Sequence, residues 1–283
     1  MSFIALSRNV SREVAYNLRT NGNSLAESIK RLSTGLRVQR PQDGVYEFMR
    51  GKSIDGNVKL YEDIRRSMGE TESILNLASD ASSEILDNLN NMMQLARQGS
   101  DANITASERS ALFMEFNAAR TAIDDIVKST KYENGGILNS AGQYNQAMSL
   151  AITPDRSVTM DMDLNALDVT AAPGTGIVVD NTAWADETDA SASATEIETA
   201  LDTVRTFMSQ VSGYTAQVQG HSRMTDSVIE NYNAAKSTLV GVDVAEEMAN
   251  YTALNVTQEA GISMLAQANL SYRSILRLYE FNS

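Results

Sequence analysis

The side chains that could do chemistry are few and poorly spaced for it. His221 is the single histidine and the chain has no cysteine, so neither a histidine-based triad nor a His/Cys metal site can be assembled. Carboxylate neighbours such as Asp124-Asp125 and Glu246-Glu247 point in different directions on a helix, so a general acid and its partner base would not converge. Gly135-Gly136 is too short to cradle a phosphate. Met92, Met93, Met208, Met248 and Met264 could form a soft-metal or adaptable binding stripe, but their helical spacing assigns them to core filling. No enzyme activity, cofactor or metal is expected; function should lie along helix surfaces.

Those surfaces are legible as seams. Leu201, Val204, Met208, Val211, Thr215, Val218, Ser222, Thr225, Ile229 and Tyr232 recur at alternating spacings of three and four, a heptad pattern that needs a partner. A matching stripe runs through Leu60, Ile64, Thr71, Leu75, Ala78, Ala81, Ile85, Leu89, Met92 and Ala96, so the two ends of the chain are expected to pack on each other. His221 sits beside Ser222 at the edge of the first seam, a structural place.

Charge and composition narrow the partners. The net charge is −13 over 283 residues, which argues against nucleic acid and acidic membranes. The distribution is uneven: residues 1–70 carry 12 Lys and Arg against 8 Asp and Glu, the remainder 11 against 28. One Trp, six Phe and three Pro suit thin layers of close-packed, uninterrupted helices better than a deep globule. No apolar run is long enough to span a bilayer, so no membrane insertion is expected. The start, MSFIALSRNVSREV, lacks the pattern of a secretory signal, which suggests a cytoplasmic protein or export without signal cleavage.

The expected order is helix, joint, helices, strands, helix, joint, helix. A first helical window holds Val10, Val14, Leu18, Leu25, Ile29, Leu32 and Leu36, and Pro41-Gln42-Asp43-Gly44 interrupts it. A second runs from Val45 to about Gly99, roughly 80 Å at the rise of an α-helix. Thr105 to Glu108 forms a capping box opening a third helix to about Tyr132, with Asn134-Gly135-Gly136 beyond it. Short strands are expected at Ala147–Ile152, Val158–Met162 and Ile177–Val179. Ser193 to Glu196 repeats the capping box and should open the heptad helix. Gly241-Val242-Asp243 marks a second joint, and a last helix spans Ala245 to about Tyr279. The fold class is therefore mainly α: a long antiparallel coiled coil or bundle formed by both termini, with a small β-hairpin region at about 137–190.

Ser24 to Arg37, SLAESIKRLSTGLR, resembles the N-terminal signature of bacterial flagellins, and Asp243 to Asn269 resembles the C-terminal one, most specifically at Gln258, Ala260, Gly261 and Leu265 to Asn269. The resemblance covers roughly 1–140 and 193–283. Pro41 to Phe48 departs from the family's acidic, alanine-rich continuation, and Thr130 to Gly135 carries one extra residue.

The resemblance implies a discontinuous inner coiled-coil domain (1–42 with 242–283), a helical rod domain (43–241) and no sizeable outer domain. It implies a subunit that self-assembles into an extracellular flagellar filament for motility. Its partners would be other copies of itself, the flagellar export apparatus, an export chaperone, and the filament cap and hook-associated proteins. On this reading Leu25, Ile29, Leu32, Leu36, Ile262, Leu265 and Leu276 are inner-shell packing positions, and Arg31 and Arg37 are polar contacts between subunits. Some flagellins are detected by a Toll-like receptor at a helix ending in Arg-Glu-Leu-Ala. The matching stretch here has Asn91, Gln94 and Leu95, and Glu115 matches a receptor-contact glutamate, so only weak innate immune recognition is expected. A hook-filament junction protein and a secreted adhesin-like binding module remain alternatives.

Overall fold

The computed structural model describes residues 2–138, 144, 147–164 and 183–280; of residues 2–11, 147, 272, 275, 276 and 278–280 it describes the backbone only. Five helices dominate: α1 (Ser2–Thr34), α2 (Val45–Gly99), α3 (Ala106–Ser129), α4 (Glu187–Val240) and α5 (Val244–Glu280). Between α3 and α4 lie two antiparallel strand pairs, β1 (Lys131–Tyr132) with β2 (Gly135–Gly136) and β3 (Ala147–Ala151) with β4 (Thr159–Asp163). The chain divides into two compact units, 1–56 with 231–283 and 57–230.

The 57–230 unit owns the main apolar core. Both predicted seams are buried in it: Ile64, Leu75, Ala78, Ile85, Leu89, Met92 and Ala96 from α2, and Leu201, Val204, Val211 and Val218 from α4. Leu60, expected in the same stripe, is exposed. Cross-links fix the two helices as antiparallel: Arg97 to Glu198 at 3.4 Å, the Gln219 amide donating to Glu72 at 2.7 Å, and Arg65 to Asp226 at 3.4 Å. Helix α3 adds Phe116, Ala119, Ile123 and Val127 to this core. Its start is the predicted capping box: the Thr105 hydroxyl accepts from the Glu108 amide at 3.3 Å and the Glu108 carboxylate accepts from the Thr105 amide at 2.8 Å. The Thr105 amide, and then the Thr105 hydroxyl, which also donates to the carboxylate at 2.8 Å, hold the Glu108 carboxyl below its ordinary value. In the β3–β4 pair Met148 faces Met162 and Leu150 faces Met160 across the ladder, with Leu150, Met160 and Met162 buried.

Two helix boundaries differ by several residues from the sequence reading. Helix α3 stops at Ser129, short of Tyr132, because the Thr130 amide and hydroxyl both return to the Ile126 carbonyl and the next residues enter β1. Helix α4 begins at Glu187, six residues ahead of the expected capping box at Ser193: the Asp186 carboxylate accepts the amides of Thr188 (2.8 Å) and Asp189 (3.1 Å) and so caps the helix itself. Helix α1 extends back to Ser2. The strand expected at Ile177–Val179 lies outside the described residues.

The other unit, 1–56 with 231–283, is a two-helix layer and a joint. Helices α1 and α5 run antiparallel: Arg31 reaches Glu247 at 3.7 Å, the Asn21 side-chain amide donates to the Leu254 carbonyl and the Gln258 side chain, both at 2.9 Å, and Leu18 meets Gly261. Gly261 lets Leu18 approach so closely that an added Cβ would lie 2.7 Å from a Leu18 methyl. At the joint the chain forms a short 3-10 turn, Pro41–Asp43, held by the Asp43 carboxylate, which accepts from the Gln39 and Arg40 amides at 3.0 and 2.9 Å. These amides hold the Asp43 carboxyl below its ordinary value. Leu36 bridges to Gly241, with the Arg37 amide donating to Val240 at 2.8 Å and the Val242 amide to Gly35 at 3.0 Å. Gly241 is obligatory here: a Cβ would sit 2.2 Å from the Ser237 carbonyl oxygen.

Candidate assembly surfaces

The α1–α5 layer cannot bury its own apolar residues. Two helices side by side cover one stripe each, and only Ser28 and Glu247 are buried among the described side chains of α1 and α5. The α5 stripe turned toward α1 reads Glu247, Tyr251, Leu254, Gln258, Gly261, Leu265 and Ala268, a strict three-four repeat made largely of polar and small residues. The larger apolar side chains stand elsewhere: Ile262 is 56 % exposed, Met264 67 % and Leu270 59 %, with Met248 and Val256 also exposed. On α1, Ile29 is 50 % exposed. A helix apolar on several sides is built to be surrounded.

The expected packing residues separate accordingly. Leu25, Leu32, Leu36 and Leu265 are half-buried, whereas Ile29 and Ile262 face solvent. The Leu276 side chain lies outside the described residues. Both arginines expected to reach other subunits have partners within the chain. Arg31 contacts Glu27 at 2.9 Å and Glu247 at 3.7 Å, and the Arg37 guanidinium donates to the Leu239 carbonyl at 3.2 Å. Of the expected receptor-facing residues, Asn91 and Glu115 are exposed, but Leu95 is 7 % exposed and belongs to the core.

No group of three or more His, Cys, Asp or Glu poised for a metal ion exists among the described residues. His221 is half-buried on α4. Glu246 is exposed while Glu247 is buried, the divergence that adjacency on a helix dictates. No described helix is long and apolar enough to cross a membrane.

Residues 7–143 match the bacterial flagellin N-terminal helical region and residues 194–279 the bacterial flagellin C-terminal helical region. The chain belongs to the bacterial flagellin family. Among similar flagellins, that of Halalkalibacterium halodurans is 25 % identical over 262 residues, covering 93 % of this chain and 94 % of that protein. Flagellin FljK of Caulobacter vibrioides is 24 % identical over 283 residues, covering 99 % of this chain and all of that one. A Bacillus cereus flagellin structure aligns over 56 % of this chain and 88 % of its own, at 16 % identity and a TM-score of 0.47.

The flagellin match covers both terminal regions, and the features that sequence reasoning missed lie outside the signatures. Trp184 packs against Phe116 (ring centroids 4.8 Å) and Phe113 (5.5 Å), and its indole N–H donates to the Ser193 hydroxyl at 2.9 Å. Arg109 is buried beside this cluster and donates to the carbonyls of Gly99 and Asp101, covering the end of α2. An isolated Trp in a loop gave no periodic signal. Gly99 was the available clue, since a Cβ there would lie 2.7 Å from the Trp184 ring.

Proposed function

We propose that the exposed apolar side chains of α1 and α5 are the surfaces through which this structural subunit polymerises with other flagellin subunits into the extracellular filament of a bacterial flagellum. The observation that carries the proposal is the two-helix layer in which, among the described side chains of α1 and α5, two are buried and Ile262, Met264 and Leu270 face solvent. Burying each such side chain contributes about 1.5–3 kcal/mol, against roughly 0–1 kcal/mol for an exposed ion pair. Assembly should therefore be driven by these apolar residues. Segments 1–42 and 242–283 form the inner part of the polymer on this reading, and residues 43–241 the surrounding rod.

Two aspartates on the outer face of α5, Ile262→Asp with Leu270→Asp, test this. Filament growth from seeds should fall at least tenfold while the melting of the 57–230 unit stays within a degree or two, because both side chains are exposed and belong to the other unit. Unchanged growth would remove α5 from the contact.

The same apolar exposure gives a reason for an export chaperone: a segment that must stay soluble before assembly needs a temporary cover. We further propose passage through the flagellar export apparatus and growth beneath a filament cap beyond hook-associated proteins. Innate immune recognition should be weak, since Asn91 and Gln94 replace charged residues and Leu95 is buried. A reporter-cell response equal to that of an Arg-Glu-Leu-Ala flagellin would overturn this.

A further inference from the structure

The joint of the 1–56/231–283 unit is a surface of cations and exposed apolar side chains. Val45, Tyr46 and Met49 stand 67, 69 and 63 % exposed at the start of α2. Arg40 and Arg50 are exposed and enter no ion pair among the described residues, and Lys52 and Lys236 share one carboxylate, Asp55, at 3.9 and 2.6 Å. Asp43 is already committed to its own turn. Beside them a notch of about 240 Å³ has Leu36, Val38, Phe48 and Val240 in its wall. The joint thus offers apolar contact and positive charge to something acidic.

The 57–230 unit offers the complement. It holds 11 Lys and Arg against 26 Asp and Glu, a net −15, whereas the rest of the chain holds 12 against 10. Between Arg66 and Arg97, α2 has no basic residue at all. In that stretch Asp80, Glu84 and Asp87 follow at i, i+4 and i+7, hence on one face, and line a shallow depression with Asn88 and Asn91. No ion pair among the described residues reaches these three carboxylates.

We propose that the joint face around Arg50 and Lys52 docks on the Asp80-Glu84-Asp87 face of a second copy of this chain. The inference rests on the filament reading and adds which faces meet. The contact is heterologous, basic face to acidic face, so it propagates along a polymer instead of closing a dimer. Charge complementarity of this kind sets register and excludes wrong partners.

The test uses two exposed-site variants of the full chain. In the joint variant, Arg50→Glu with Lys52→Glu makes the joint acidic; in the row variant, Asp80→Lys, Glu84→Lys and Asp87→Lys make the row basic. Each alone should raise the critical concentration for seeded growth about tenfold or more, because like charges then meet. An equimolar mixture should recover growth to within about threefold of the parent, since the altered joint of one variant complements the altered row of the other, and the two unaltered faces still complement each other. Recovery by mixing also shows that both variants fold. Single variants that grow like the parent, or a mixture no better than either alone while helical content equals the parent's, would overturn the docking. A parent that never polymerises would instead remove the filament reading and this inference with it.

Discussion

Trp184 closes one part of the 57–230 core against Phe113 and Phe116, with its indole nitrogen satisfied by Ser193 and Gly99 leaving room for the ring. Truncating a buried aromatic removes both its transfer free energy and its packing, so Trp184→Ala should cost about 3–5 kcal/mol. The melting temperature should fall by roughly 10 °C for a unit of this size. Calorimetry of the subunit checks this, and a shift under two degrees would show the cluster to be incidental. Ser193 explains why this was hidden in the sequence. Ser193 to Glu196 has the spacing of a capping box, yet the Ser193 hydroxyl serves Trp184 and the Asp189 carbonyl, while Asp186 caps the helix upstream. The identical motif at Thr105 to Glu108 does start its helix. Capping chemistry is local, and which candidate acts depends on a tertiary contact from outside the helix.

Helices α2 and α4 were legible because their apolar positions repeat at helical spacing: the α2 repeat is buried from Ile64 to Ala96, and the α4 repeat is buried at Leu201, Val204, Val211, Val218 and Thr225 and half-buried at its other positions. Helices α1 and α5 were equally legible as helices, but not which side faces what. Their mutual stripe mixes Leu18, Leu25, Leu254 and Leu265 with Asn21, Ser28, Gln258 and Gly261, so apolar spacing alone did not show that Ile29 and Ile262 stand outside it. A layer held this lightly should open readily in the free subunit. Amide hydrogens of α1 and α5 should exchange orders of magnitude faster than those of 64–96 and 197–218, and become protected in filaments. Hydrogen exchange read by mass spectrometry decides this, and equal protection of all four helices in the free subunit would contradict it.

At the scale of the whole molecule, the chain combines a unit with a continuous apolar core and a unit whose apolar residues are left for neighbours. The first is expected to fold by itself, and the second to gain stability when other copies cover it. That division, with membership of the flagellin family, supports polymerisation through the terminal helices. The most direct test is electron microscopy of the purified protein under seeding, beside a variant lacking residues 245–283. Long helical filaments from the intact chain and none from the shortened one are the predicted result. Filaments of equal length from both, or soluble monomers from the intact chain under every seeding condition, would contradict it.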